Sequence, residues 1–507
     1  MGVSRRAPIP LMQHTHPQPN RAPSAPPDHA EIRRIIFGLM LAMLLGALDQ
    51  TIVATALPTI GDAFGDFANL SWVVTAYLLT ATVATPLYGK LSDIHGRRVM
   101  LLTAVAVFSA ASVACALAPN LLALIIARAV QGLGGGGLIS LSQTIIADLV
   151  SPRERGRYQA QIAGVFAASS IAGPVLGGLF AQYLDWTLIF WINLPIGVAA
   201  LLITERRLRD LPRHERRHAM DYLGAALMAV ASLLLLLALG WGGVRYPWGS
   251  PLILALFAGA VAFVALFIWR MRKAEEPFLP LGLLANKVVG WGMIASFLAF
   301  GGMVGLSIFV PLYLETGRGL SATQSGLGLI PFMGGVVIGA VLSGRSMARL
   351  AHYKRPALAG LTFATVGLLA IALLPAMPLP LALALFVVIG VGMGTPLPVC
   401  TVSIQNAVQP RLMGTTTGVM TFFRQLGGAL SVAVLGAVLL AVLAAGGAGD
   451  IETLARNADP ARLATAFSRV FLTMTVVVAL AAVALAFLPE RPLRTSVHAS
   501  EGEGSLM

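Results

Sequence analysis

The sequence predicts an all-α membrane protein of fourteen membrane-crossing helices, arranged as two six-helix bundles with two extra helices between them. Three observations predict it. The chain is 57% hydrophobic and only 11% charged, whereas about a quarter of an ordinary soluble domain is charged. Apolar runs of about twenty residues, each enough to cross a bilayer as a helix, recur along the whole length. The loops after the second and tenth runs read alike, so the two sets of six form an internal repeat, the usual plan of a transporter with a site at its midplane.

Residues 1–34 hold seven prolines and several arginines. With no short apolar core behind them, they read as a disordered cytoplasmic tail rather than a signal peptide. The first bundle, 35–204, contains runs at 35–60, 71–90, 99–118, 121–149, 157–182 and 187–204. A linker at 205–288 follows, made of an arginine-rich loop and two extra spans, 220–240 and 251–271, expected to pack outside the core. The second bundle, 289–488, contains runs at 289–316, 324–346, 356–375, 379–407, 414–445 and 467–488, and 489–507 is a second cytoplasmic tail. Two spans are irregular: 187–204 is short, and Pro396 and Pro398 interrupt 379–407.

A net charge of +13 raises nucleic acid as a partner, and its distribution argues against one. With the N-terminus inside, the cytoplasmic segments hold 28 Lys and Arg and the outer loops hold 4. That is the positive-inside bias, with both termini cytoplasmic. Cys115 and Cys400 both fall within apolar runs and imply neither a disulfide framework nor a metal cluster.

Asp49 is the one carboxylate deep inside an apolar run. A lone acid in hydrocarbon is costly, so it is neutralised, paired or turned to a wet cavity, and it marks a functional site. Arg128 of the fourth span is its natural partner, because at 1.5 Å per residue Asp49 lies about 16 Å and Arg128 about 10 Å from the outer end. Desolvation favours the neutral acid and a nearby guanidinium favours the carboxylate. A movement that parts the pair could therefore load a proton on one side and release it on the other; a static ion pair is the plainer alternative.

The loop Gly89-Lys90-Leu91-Ser92-Asp93-Ile94-His95-Gly96-Arg97-Arg98 is short, and Asp93 is placed to cap a helix or pair with Arg97. Asp148 lies at matching depth. The second copy, Leu342-Ser343-Gly344-Arg345, has Gly344 where Asp93 stands, so one charged cluster is expected rather than two. Gly164, Gly173, Pro174, Gly177 and Gly178 give the fifth span a bare face for close packing and a kink point.

These stretches together resemble one family. Leu48-Asp49-Gln50-Thr51 through Leu57-Pro58, the Gly89–Arg98 loop, Arg128 with Gln131-Gly132, Gly173-Pro174 with Gly177-Gly178, and Phe190-Trp191-Ile192-Asn193-Leu194-Pro195 are similar to the fourteen-helix multidrug exporters of the major facilitator superfamily (EmrB/QacA type) over nearly all of 35–488. Phe422-Phe423-Arg424-Gln425-Leu426-Gly427-Gly428 also fits. The resemblance implies a proton-driven antiporter without cofactor. Asp49 and Arg128 would couple proton to cargo, and Gly89, Asp93, Gly96, Arg97, Arg98 and Asp148 would latch the bundles on the cytoplasmic side. The glycines of the fifth span would mark an exporter. Thr187 and Leu188 follow Trp186 where relatives carry an arginine, so that outer charge is missing.

The implied partners are amphipathic or cationic small molecules, protons and the lipid bilayer, with a dedicated metabolite or antibiotic as the alternative cargo. An adaptable apolar cavity suits such ligands. Candidate lining residues in the first half are Met43, Tyr77, Phe166, Trp191 and Asn193. Those in the second half are Phe297, Glu315, Met333, Met393 and Arg424, the one intramembrane charge of that half. Two enzyme-like strings are set aside. His214-Glu215-Arg216-Arg217-His218 fits a zinc pattern but sits among cations without an evident third ligand. The G-x-G-x-x-G in Gly132–Gly137 lies mid-span with no preceding strand and reads as helix packing.

Overall fold

The computed structural model describes residues 29–66, 69–207, 220–443 and 459–494. Fourteen long helical spans run through them. The first eight are α1 (His29–Phe64), α2 (Trp72–His95), α3 (Arg97–Ala116), α4 (Leu121–Leu149), α5 (Pro152–Tyr183), α6 (Leu188–Trp191 continued by Asn193–Arg207), α7 (Tyr222–Trp241) and α8 (Pro251–Lys273). The remaining six are α9 (Lys287–Leu312), α10 (Ala322–Gly328 continued by Ile330–Arg349), α11 (Lys354–Leu373), α12 (Leu379–Gly394 continued by Pro396–Asn406), α13 (Met413–Leu443) and α14 (Pro460–Phe487). A five-residue helix, Leu281–Ala285, has no counterpart among the expected spans.

Thirteen of these are long and apolar enough to cross a membrane. The exception is α2, 24 residues long, whose apolar run is diluted by threonines, Lys90, Asp93 and His95. The two irregular spans break as their sequences suggest. The helical run of α6 is interrupted at Ile192, and α12 restarts at Pro396, where a proline is tolerated because the first turn needs no N–H partner.

The internal repeat is visible in which helices touch. In the first half α1 packs on α5, α2 and α3 on α4, and α6 on α1 and α3. Adding eight to every label gives the pairings of the second half: α9 on α13, α10 and α11 on α12, α14 on α9 and α11. The same relation joins the halves, since α2 packs on α13 and α10 on α5.

Small residues make these approaches close. A Cβ added to Gly134 of α4 would come within 2.5 Å of the Phe108 backbone on α3, and one on Gly136 would strike the Ala81 carbonyl of α2. The glycine string of α4 is thus a packing surface, as its mid-span position suggests.

The linker helices behave differently from each other. α8 pairs with α7 and is otherwise exposed, with 11% of its apolar window buried. α7 lies against both α2 and α13, so it bridges the halves instead of standing outside them. The expectation that both extra spans pack outside the core holds for α8 and fails for α7.

Candidate functional site

Asp49 sits on the inner face of α1, fully buried within the first half. Its Oδ2 accepts from Arg128 Nη1 at 2.6 Å, and its Oδ1 accepts from Gln131 Nε2 at 2.9 Å and Asn193 Nδ2 at 3.0 Å. Arg128, also buried, donates from Nε to the Val73 carbonyl at 3.0 Å and from Nη1 to Gln131 Oε1 at 2.6 Å. Its guanidinium lies 4.3 Å from the centre of the Tyr77 ring. Ser112 Oγ accepts from both Gln131 and Asn193. Five helices (α1, α2, α3, α4 and α6) meet in one polar knot. Removing one member of such a buried pair strands the other and costs about 3–5 kcal/mol.

Gln131 and Ser112 were not among the candidate residues. A spacing of three from Arg128 puts Gln131 on the same helix face, and Gln131 also stands in the family-like stretch Arg128 with Gln131-Gly132. Asn193, a candidate for the cavity wall, is instead spent on Asp49 and Ser112.

A second polar cluster lies at the seam between halves. Asp93, near the end of α2, accepts from Arg97 Nη1 at 2.5 Å, from the backbone N–H groups of Gly414 at 3.0 Å and Thr415 at 2.6 Å, and from Thr415 Oγ1 at 2.6 Å. Gly414 and Thr415 open α13, where backbone donors have no partner within the helix and the macrodipole is positive. A carboxylate from one half therefore caps a helix of the other. Arg97 Nε donates to Asp148 Oδ2 at 2.9 Å, tying the cap to α4. Gly89 is pressed against the Gly414 backbone, and Gly96 takes φ of 92°, which lets α2 turn sharply into α3.

Arg98 is not part of this cluster. Its Nη2 reaches Glu205 of α6 at 3.7 Å, inside the first half, because the next position along a helix points about 100° away. The other seam, α5 against α10, closes without an acid: Gly156 and Gly344 meet backbone to backbone, and Arg153 Nε donates to the Ala348 carbonyl at 3.1 Å, in the last turn of α10. The face holding both contacts is called the latch face below.

Above the latch face lies a cavity of about 760 Å³ between the halves. Gln50 and Thr51 of α1, Leu239 and Gly240 of α7, Phe300 and Met303 of α9, and Arg424 and Gln425 of α13 all contribute to its wall. It reaches toward the opposite ends of the helices, at Gly242, Leu312 and Leu440. Of the ten candidates, Phe166, Met333 and Arg424 line it.

The other seven do not, and the reason is helix phase. Met43 and Tyr77 are buried in the core of the first half, and Met393 packs on Gly302 in the second. Phe297 presses its carbonyl on Gly427, one turn before Phe300, which does face the cavity. Trp191 is 36% exposed outside the cavity, and Glu315 sits in the π-helical turn Tyr313–Gly317 that ends α9.

On α5, Gly173 is pressed on Thr51 and Gly177 on Thr55 and Ile52 of α1, while a Cβ on Gly164 or Gly178 would meet nothing within 4 Å. α5 continues helical through Pro174. The close-packed stripe is therefore two glycines, not four. His214 and His218 lie outside the described residues, and no group of acids, histidines and cysteines that could hold a metal occurs among the described ones.

The sequence pattern of the Major Facilitator Superfamily matches residues 39–221 and 211–432. The chain belongs to the major facilitator superfamily. Thirteen helices long and apolar enough to cross a membrane agree with that family, and the chain spans about 60% of the length of the first curated relative it matches. An uncharacterized MFS-type transporter of Mycobacterium tuberculosis is 35% identical over 410 residues, covering 80% of this chain and 60% of its own length. The multidrug transporter protein MdtP of Bacillus subtilis is 35% identical over 406 residues, covering 80% of this chain and 75% of its own. Multidrug resistance protein 3 of the same species is 33% identical over 411 residues, covering 81% and 80%. Among solved structures, the proton:xylose symporter XylE superposes with a TM-score of 0.62 at 18% identity, covering 91% of this chain and 96% of its own. A bacterial homologue of the iron transporter ferroportin in an outward-facing state gives 0.61 at 14% identity, covering 90% and 98%. At these identities the likeness shows the shared fold.

Proposed function

We propose that this transporter exports amphipathic small molecules across a bacterial inner membrane in exchange for protons, with Asp49 as the proton-carrying group. The observation that carries the reading is the pairing of a sealed acid with a cavity on opposite sides of one helix. Asp49 faces the polar knot of the first half, while its neighbours Gln50 and Thr51 face the cavity. The names of the Bacillus subtilis relatives supply the multidrug direction. The charge asymmetry of the sequence supports a cytoplasmic latch face, and with that orientation the cavity opens outward.

On this reading the two halves rock about the cavity. With the latch closed, Asp49 is bonded by Arg128, Gln131 and Asn193. Tilting α1 against α4 separates acid from guanidinium and admits a proton, and that protonation releases α1 to move. The cargo does not compete with the proton for Asp49, because Asp49 is absent from the cavity wall. That removes the basis for a preference for cations, and amphipathic character is what the cavity selects.

The test uses inverted vesicles with an imposed proton gradient and a panel of amphipathic toxic compounds, first ranked by the resistance they reveal in expressing cells. Compounds exported by the wild type should release protons from the vesicles on addition. Asp49→Asn should abolish that release while the purified variant still elutes as a single folded species. Undiminished proton release by a folded Asp49→Asn protein refutes the assignment.

A further inference from the structure

We infer that the cavity holds its cargo by an anionic group seated on Arg424, so that the preferred substrates are amphiphiles carrying a sulfonate, carboxylate or phosphate. The inference deepens the export reading by naming the substrate class of the same cavity.

Among the described residues Arg424 is the only formally charged one in the cavity wall; no described Asp, Glu, Lys or His lines it. The side chain is 6% exposed, so its charge is held largely out of water. Among the described residues only Nη2 finds acceptors, and all are neutral: Thr401 Oγ1 at 2.6 Å, the Leu397 carbonyl at 3.2 Å and Ser296 Oγ at 3.4 Å. Thr401 donates its own hydrogen back to the Leu397 carbonyl at 2.7 Å, which leaves its lone pairs to the guanidinium. α9 and α12 thus clamp one edge of the group in place. The Nε–H is buried without an acceptor. The contrast with Arg128 is sharp, since that arginine has its carboxylate at 2.6 Å.

A buried cation without a counter-charge is unfavourable unless something completes it. Arg424 lines an apolar cavity large enough for a ring system. A guanidinium held in place this way offers its charge and a remaining N–H donor to an oxyanion. The apolar lining (Phe166, Phe300, Met303 and Met333 among it) suits the body of an amphiphile. Gln425, next in sequence, also lines the cavity, and its Oε1 is buried without a partner.

Binding to purified full-length protein in lipid nanodiscs tests this, with three probes and protein-free discs as the blank. Anilinonaphthalene sulfonate is the anion, phenylnaphthylamine is the matched aromatic body without charge, and tetraphenylphosphonium is the cation. The wild type should bind the sulfonate more tightly than either other probe. Arg424→Gln should weaken the sulfonate about ten- to hundred-fold, the range for a lost hydrogen bond to a charged group, and leave phenylnaphthylamine nearly unchanged. Arg424→Lys should keep much of the sulfonate affinity.

Gln425→Glu leaves Arg424 in place and sets a carboxylate beside it, so it should also weaken the sulfonate and strengthen tetraphenylphosphonium. Three results overturn the inference: sulfonate affinity that survives both Arg424→Gln and Gln425→Glu, an equal fall for the sulfonate and phenylnaphthylamine, or a wild type that prefers tetraphenylphosphonium. Equilibrium binding is independent of transport direction and of Asp49, so failure here is distinct from failure of the vesicle test.

Discussion

Asp93→Ala should unfasten the latch face while leaving the cavity able to bind. Three of the bonds made by Asp93 cross the seam, to the N–H groups of Gly414 and Thr415 and to the Thr415 hydroxyl. Each hydrogen bond to a charged group is worth about 1.5–3 kcal/mol net, and the helix terminus adds about 0.3–1 kcal/mol. These do not sum, because water solvates both carboxylate and helix end once the seam parts. A net loss of about 2–4 kcal/mol is the reasonable figure, which shifts the closed-to-open ratio about 30- to 700-fold. The assay is a pulsed spin-label distance between cysteines placed at His95 and Arg411, both exposed and on opposite sides of the seam. The wild type should give one short distance. Asp93→Ala should add a longer population, and Thr415→Val, which removes one of the three bonds, should add less of it. Phenylnaphthylamine binding should persist while export falls. A distance distribution identical to wild type, or lost binding with the seam still closed, refutes the reasoning.

Gly344→Val should open the same face through the other seam, since any Cβ there strikes the Gly156 carbonyl, which is backbone and cannot yield; the same label pair should report the longer distance. Gly240→Leu fills space in the cavity wall where a Cβ meets nothing within 4 Å. It should fold normally and lose resistance to the bulkiest compounds first, with small ones retained. Asp49→Asn should lower the melting temperature by stranding Arg128, at about 3–5 kcal/mol, and the double variant Asp49→Asn, Arg128→Gln should regain part of that loss. A double variant less stable than either single would contradict the ion-pair account.

Much of the fold was legible because membrane helices announce themselves by length and composition, and their irregularities by proline. Pro396 signalled the break in α12 through the chemistry of its missing N–H. The meeting of Asp49 and Arg128 was legible for a similar reason: in an apolar run each ionised group needs a partner, and depth along the helix follows from residue count. The cavity wall was not legible. A helix that is apolar all round carries no phase, so Phe297 and Phe300, or Tyr77 and Leu78, look alike in sequence although only the second of each pair faces the cavity. The capping of α13 by Asp93 was only half visible, since its acceptor side is backbone N–H, which every residue but proline owns.

The division of labour along α1 constrains how any exchange can work. Direct competition between cargo and proton requires both at one group, whereas Asp49 and the cavity lie on opposite faces of one helix. With Asp49 as the proton carrier proposed above, coupling passes through the position of α1 itself. The close contacts that hold α1 are Gly173 and Gly177 of α5, pressed on Thr51, Ile52 and Thr55, and Thr51 also donates to the Ser169 carbonyl at 2.9 Å. On that proposal the α5 glycines fix the axis about which α1 turns. A side chain at Gly173 would displace both the cavity wall at Thr51 and the acid two residues earlier. Proton release and cargo binding should then fail together in Gly173→Val, whereas Arg424→Gln should impair binding of anions and leave the Asp49 knot intact. If Gly173→Val spared one function and removed the other, α1 would not be the link.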